Sequence, residues 1–235
     1  MRNKKREAVI DWRDIDTVLL DMDGTLLDKH FDDYFWEQYV PEVYASQNNI
    51  SIFTAEEELL AKYKEQEGGL AWTDLDFWSE QLDLDIERLK KEVDHLIAIH
   101  PYVLEFLEFC RNHGKRIYLV TNAHPKTLAI KMAKTKLARE FDELICADEI
   151  GLAKEEPLFW EKLQGRIAYD KKRTLLADDN ERVLASAAAY GIGHLIFVAK
   201  SSSRLPTLYS ANFPSIIFFK ELMEPSHSGA PKKGL

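Results

Sequence analysis

The sequence predicts an α/β protein: a parallel sheet covered by helices on both faces, with a helical unit inserted after the first strand. Three observations predict it. Short apolar runs alternate with helical patterns along most of the 235 residues. Acidic or hydroxyl residues stand directly after several of those runs. Residues 31–98 hold helical patterns but no convincing strand. Strands separated by helices imply parallel pairing and a sheet buried on both sides.

The first apolar run is Thr17–Leu20 (TVLL), which stops at Asp21. Its length and apolar character read as a buried strand. Arg116–Val120, Glu143–Ala147, Arg173–Ala177 and His194–Val198 have the same form. Val103–His113 carries apolar residues at 103, 104, 106, 107 and 110 and stops at Gly114, a C-terminal helix signal. A helix over Thr127–Leu137 follows Pro125, and one over Pro157–Gln164 opens on its own proline and ends at Gly165. Glu181–Tyr190 is rich in alanine and ends at Gly191.

In the inserted stretch, Phe31–Tyr44 reads as an aromatic helix. Thr54 and Glu57 have capping-box spacing before a helix that ends at Gly68–Gly69. Thr73–Gln81 is a short helix, and Asp85 caps Ile86–Ile99 ahead of Pro101. These patterns divide the chain into a core of residues 1–31 and 99–224 and a helical cap of residues 32–98. The hinges fall near Asp28–His30 and His100–Pro101. Residues 200–224 are expected to wrap the sheet, and residues 225–235 to form a disordered tail.

The 40 acidic against 31 basic residues leave a net charge of −9, which argues against a nucleic-acid partner. A small anionic substrate is compatible with it, because one local cation and a metal suffice for a phosphate. No apolar run reaches the ~18 residues of a membrane span, and the basic N-terminus lacks a secretory pattern. Cys110 and Cys146 have no metal-ligand spacing, so a reducing cytoplasmic setting is expected; a monomer is expected as well.

Four places could carry chemistry. Asp21 and Asp23 of DMDGT follow the first strand, and two carboxylates there can divide the tasks of nucleophile and acid/base. Gly24 and Thr25 let the chain turn. Thr121 and Asn122 follow the second strand at a helix start, a place that suits an anion but also ordinary turn chemistry. Lys154 sits in GLAKEEP, where a loop lysine is commonly only solvated. Asp178 and Asp179 follow the fourth strand and could either hold a hard divalent ion or cap the helix that opens at Asn180–Glu181.

Taken in this order, the four signals resemble the motifs of the haloacid dehalogenase superfamily of phosphohydrolases, over nearly the whole chain. The wording DTVLLDMDGTLLD, FDDYFW, DFWSEQLDLDI, VTNAHPKTLAIK and RTLLADDNERVLASAA is similar to its bacterial GMP/IMP nucleotidases. GLAKEEP and ADDN vary slightly from the family pattern without losing a functional group. The resemblance implies a Rossmann-like three-layer core, with the Asp21 strand between the Thr121 and Asp179 strands. It implies Asp21 as nucleophile and Asp23 as acid and base, with Thr121, Asn122 and Lys154 holding phosphoryl oxygens. Mg²⁺, for which Mn²⁺ or Co²⁺ can substitute, would sit on Asp21, the Asp23 carbonyl and Asp179, with Asp178 adjacent. The implied substrate is a phosphate monoester such as GMP or IMP. A sugar-phosphate phosphatase, phosphoglycolate phosphatase or phosphomutase with the same cap is the alternative. His124 follows the phosphate loop and could approach the substrate. The cap aromatics are chiefly core, with one or two free to stack on a purine.

Overall fold

A computed structural model describes residues 4–66 and 68–223; the expected disordered tail, 225–235, lies outside them. Six parallel strands form one sheet: β1 (Thr17–Leu20), β2 (Arg116–Thr121), β3 (Glu143–Cys146), β4 (Thr174–Asp178), β5 (His194–Val198) and β6 (Ser215–Ile216). Their order is β3-β2-β1-β4-β5-β6, so β1 lies between β2 and β4. Leu20 pairs with Leu119 on one side and Ala177 on the other. Asp21, the next residue, is thereby level with Asp178 across the pair.

The helices are α1 (His30–Tyr34), α2 (Val40–Asn48), α3 (Ile52–Gln66), α4 (Leu75–Leu82), α5 (Ile86–Glu92), α6 (Val103–Asn112), α7 (Pro125–Thr135), α8 (Ala147–Ile150), α9 (Pro157–Arg166), α10 (Glu181–Tyr190) and α11 (Lys220–Met223). Strand alternation sorts them into layers. Val18 and Leu20 pack with Phe106 and Leu107 of α6 and Leu128 and Met132 of α7. Leu19, on the opposite face, packs with Trp160 and Leu163 of α9 and Leu184 of α10. Among the described residues, no helix is long and apolar enough to cross a membrane.

The described residues between 30 and 96 form helices and turns with no strand among them, as expected for the insertion, and the chain enters and leaves them side by side. Asp28 donates its N–H to the Ala98 carbonyl, and His100 donates to Leu26. A π-helical turn, Phe35–Tyr39, joins α1 to α2. Pro41 explains it: its ring clashes with the carbonyl four residues back and it has no N–H to donate, so the helix widens there.

Several elements differ from expectation. Ser51, not Thr54, caps α3, accepting the Thr54 N–H at 3.1 Å. The helix opened by Asp85 stops at Glu92, because the chain must turn back to the core while Asp94 reaches Lys134 of α7 at 3.0 Å. α9 runs through Gly165 to Arg166, whose guanidinium pairs with Glu143 and Glu149 at 2.6 and 2.7 Å. β6 was not expected: its two residues are too short to show a periodicity. The segment around it does cover the core, with Phe219 stacked on Phe106 at 4.5 Å between ring centroids.

Candidate active site

β1 delivers Asp21 to the carboxyl edge of the sheet, where parallel strands leave a crevice for ligands. The turn after it is tight. Gly24 has φ +83°, and a Cβ on it would stand 2.3 Å from Asp179 Oδ2. Only glycine accommodates both the backbone conformation and the carboxylate pressed against it. Gly24 thus brings the turn after β1 directly against the acid after β4.

Lys154 ties the floor together. Its buried ammonium donates to Asp21 Oδ1 at 2.5 Å, Asp178 Oδ2 at 2.8 Å and the Val120 carbonyl at 3.1 Å. All three protons therefore have acceptors, which a buried ammonium requires. Asn122 places the lysine loop: its Oδ1 accepts the Lys154 N–H at 3.0 Å and its Nδ2 donates to Glu155 at 2.8 Å. Glu155 also accepts from Asn180 at 3.0 Å, so one carboxylate joins the loops after β2 and β4. Thr121 Oγ1 accepts the Ala123 N–H at 3.0 Å, which shapes the turn into α7.

The helix-cap alternative for the acidic pair is excluded. Asn180 caps α10 by accepting the Arg182 N–H at 2.9 Å. Asp178 instead accepts the Asn180 N–H and holds Lys154. Oxygens of Asp21, Asp178 and Asp179 lie within 4.8 Å of one another. Against these three carboxylates stand Lys154 and, 3.9 Å from Asp179, the half-exposed Lys29. Burial raises the Asp21 carboxyl, Lys154 pulls it down and Asp178 pushes it up, which together leave it at about 6. Burial, and then the Asp21 charge, push Asp179 well above the usual carboxylate range. Burial opposes charge on Lys154, but Asp178 and Asp21 override it and hold the ammonium. An all-oxygen donor set short of positive charge, with Gly24 leaving room beside Asp179, fits a hard divalent cation. A second acidic group, Asp74, Asp76 and His124, has its atoms committed: Asp74 caps α4 and Asp76 pairs with Lys126.

Asp23 points elsewhere. Its Oδ1 accepts from Lys131 of α7 at 2.5 Å, and the same ammonium donates to Asp32 of α1 at 2.5 Å. Burial pushes Asp23 up to about 6, against the pull of Lys131. Burial acts in the same direction on Asp32, but Lys131 and Lys90 overcome it and hold that carboxyl at about 2.

Above the floor lies a cavity of about 760 Å³. Asp21, Asp23, Thr121, Asn122, Lys154, Asp178 and Asp179, the seven residues singled out from the sequence, all line it. Its roof comes from the inserted helices and includes Trp36, Tyr63 and Trp72. The Tyr63 hydroxyl is buried without a hydrogen-bond partner. His124 also lines the cavity, with Nε2 3.5 Å from Asp74. Sequence reading missed Glu155, Lys131 and Asp32. A signal existed for Lys131, a charged residue inside the stretch of α7 where 127, 128, 130 and 132 are also buried.

A family model described as haloacid dehalogenase-like hydrolase matches residues 15–191. The chain is 37% identical over 214 residues to the GMP/IMP nucleotidase YrfG of Escherichia coli, covering 91% of this chain and 96% of that one. It is 21% identical over 221 residues to the phosphorylated carbohydrates phosphatase of Thermotoga maritima, covering 89% and 97%. The crystal structure of a HAD phosphatase from Thermococcus onnurineus has the same fold, with a TM-score of 0.73 at 24% identity over 88% of this chain and 96% of that one.

Proposed function

The chain belongs to the haloacid dehalogenase-like hydrolases, and from that membership we propose that it is a Mg²⁺-dependent phosphatase of purine nucleoside 5′-monophosphates such as GMP and IMP. The observation that carries the substrate is the extent of the nucleotidase likeness. It spans 91% of the chain and so includes most of the helices that roof the cavity. In this reading residues 32–98 act as a cap over the core.

The floor would hold the cation through the Asp21 and Asp179 carboxylates and the Asp23 carbonyl, with Asp178 adjacent. Bound there, Mg²⁺ supplies the charge that offsets repulsion between a phosphate dianion and the acids. Asp21 attacks phosphorus, and the ester oxygen leaves with the electron pair of its P–O bond. Asp23 gives that oxygen a proton, and the product on the enzyme is an aspartyl-phosphate. Asp23, now a carboxylate, takes a proton from the water that hydrolyses this intermediate. Lys154 keeps Asp21 turned toward the cavity and lends its charge to the phosphoryl oxygens, with Thr121 and the Asn122 N–H. The cap excludes bulk water while Asp21 attacks.

A substrate panel tests the proposal. GMP and IMP should exceed CMP and UMP in kcat/KM at the same Mg²⁺. Equal values for the four would remove base recognition. Faster turnover of a hexose phosphate would favour the sugar-phosphate reading, which the Thermotoga maritima likeness supports.

A further inference from the structure

Four charged side chains, two part-buried aspartates and two buried lysines, form a line that starts at Asp23 and leaves the floor. Lys131 donates to Asp23 and Asp32, each at 2.5 Å. Lys90 of α5 donates to the other oxygen of Asp32 at 3.0 Å. Both lysines are about 1% exposed. Lys90 Nζ stands 4.5 Å from the Phe35 ring centroid and Lys131 Nζ 5.1 Å from that of Phe31. Two members belong to the core and two to the inserted helices, and their charges cancel.

We propose that Lys131 is the positioning residue for Asp23, and that Asp32 fixes Lys131 for that task. The inference rests on the reading of Asp23 as the acid that protonates the leaving oxygen. An aspartate in a strand-end turn has two side-chain torsions to settle. A charge-assisted bond to a fixed ammonium settles them. The ammonium is itself fixed, because α7 supplies its stem and Asp32 takes a second of its protons. Asp23 must part with its proton in each cycle, whereas Asp32 keeps two lysines throughout, so Lys131 is never left buried without a partner. The same α7 begins at the turn that carries Thr121 and Asn122, so one helix sets both the phosphate-side loop and the acid. Asp32 comes from the first turn of the inserted helices. The seat of those helices on the core is thereby transmitted to Asp23.

Lys131→Met, which keeps the length and removes the charge, tests this against two leaving groups. A nucleoside 5′-oxygen needs a proton as its bond to phosphorus breaks; a nitrophenolate does not. With GMP, or the alkyl monoester that the panel turns over fastest, kcat should fall about a hundredfold, the scale of a misplaced catalytic group. KM should stay within about threefold. The first-step nitrophenol burst from p-nitrophenyl phosphate should fall less than about fivefold. Asp32→Asn should show the same selectivity at about tenfold, and it decides the matter if Lys131→Met does not melt cooperatively. Equal losses on both substrates, or wild-type turnover of the alkyl ester, would overturn the proposal. Asp23→Asn, run alongside, separates the two readings. If it hydrolyses the alkyl ester normally, the assignment of Asp23 falls; if it is selective and Lys131→Met is not, only the role of Lys131 falls.

Discussion

The carboxyl edge of the sheet and the helices between His30 and Leu96 face each other across one cavity, and they are held by different forces. The floor is built on strands. All four residues of β1 and all five of β4 are buried, and the register of Leu20 with Leu119 and Ala177 leaves Asp21 no freedom of position. One buried lysine holds Asp21 and Asp178, while Asp179 has only the more distant Lys29 at 3.9 Å. The inserted helices share an apolar cluster with the core through residues such as Phe31, Phe35 and Trp78. Several of their polar attachments run along one helix, α7. Lys126 pairs with Asp76 and Glu87, and Lys134 with Asp94, all with exposed or half-exposed side chains. Such pairs contribute little. Thr73 adds a hydrogen bond to the Asn122 carbonyl at 2.7 Å, and Asp32 adds the buried bond to Lys131. The floor therefore stands on a hydrogen-bonded sheet, while the cavity roof is attached through a shared apolar cluster and side-chain contacts. That division suits an enzyme whose cavity must open to exchange ligand.

The largest effect should come from the floor. Asp21→Asn keeps the shape of the side chain and removes the proposed nucleophile, so turnover of every monoester should fall at least about a thousandfold. A melting temperature within a few degrees of wild type would show that the loss is chemical. Residual turnover above that level would assign the nucleophile elsewhere. Gly24→Ala should follow. Its φ of +83° and the 2.3 Å approach of a Cβ to Asp179 demand a shift of the turn. Backbone strain of about 1–3 kcal/mol corresponds to a drop of roughly 3–10 °C in melting temperature. Activity should fall with it, because the shift displaces Asp179. A Gly24→Ala protein with normal activity would show that this contact does not set the floor.

The third effect is smaller and depends on pH. Burial and the Asp21 charge raise the Asp179 carboxyl well above its value of 3.8 in an unfolded chain. An acid raised on folding binds its proton more tightly in the native state. Its ionisation therefore destabilises the fold, starting above the unfolded value and growing until pH passes the folded one. In a chelator, Asp179→Asn should melt about 2–5 °C higher than wild type at pH 8, with the difference closing as pH falls to about 4. If Asp179 holds Mg²⁺ as proposed, saturating Mg²⁺ should reverse the order at pH 8, because the wild type would bind it more tightly. A difference independent of pH would mean that Asp179 carries no buried charge.

These two regions were not equally legible in the sequence. Each floor residue lies at the end of a short apolar run or on the loop before a helix, so a local pattern locates it and the parallel sheet brings the ends together. Lys154 was findable by that route even though its partner Asp21 is 133 positions away. The line from Asp23 to Lys90 has no such local mark. Lys131 lies 108 positions from Asp23 and 99 from Asp32, and only the docking of α1 against α7 makes them neighbours. Glu155 was overlooked for the opposite reason. It lies beside Lys154, and its function of tying two loops shows only once Asn122 and Asn180 are seen on either side of it. The helical content of the insertion was readable from periodicity, but the π-helical turn was not, although Pro41 stands where its cause is visible.

The smallest effect tests the comparison itself. If the inserted helices are seated largely by exposed ion pairs on α7, salt should loosen them without touching the sheet. Raising ionic strength from about 0.05 M to 0.5 M shortens the screening length from roughly 14 Å to 4 Å. Pairs such as Lys126 with Asp76 and Lys134 with Asp94 then lose most of their attraction. The buried Lys154 and Lys131 contacts are screened far less, because water and ions do not reach them. Hydrogen exchange reads both regions in one experiment. Amides of α4 and α5 should exchange a few-fold faster at high salt, since the free energy of a local opening falls with the docking contacts. Those of β1, β2 and β4 should keep their rates, because they exchange only when the sheet itself opens. Parallel acceleration of helices and strands would mean that the two regions open as one unit, and that the cavity cannot be uncovered separately. Unchanged rates in α4 and α5 would mean instead that the apolar cluster around Phe31 and Trp78, rather than the ion pairs, holds the insertion down.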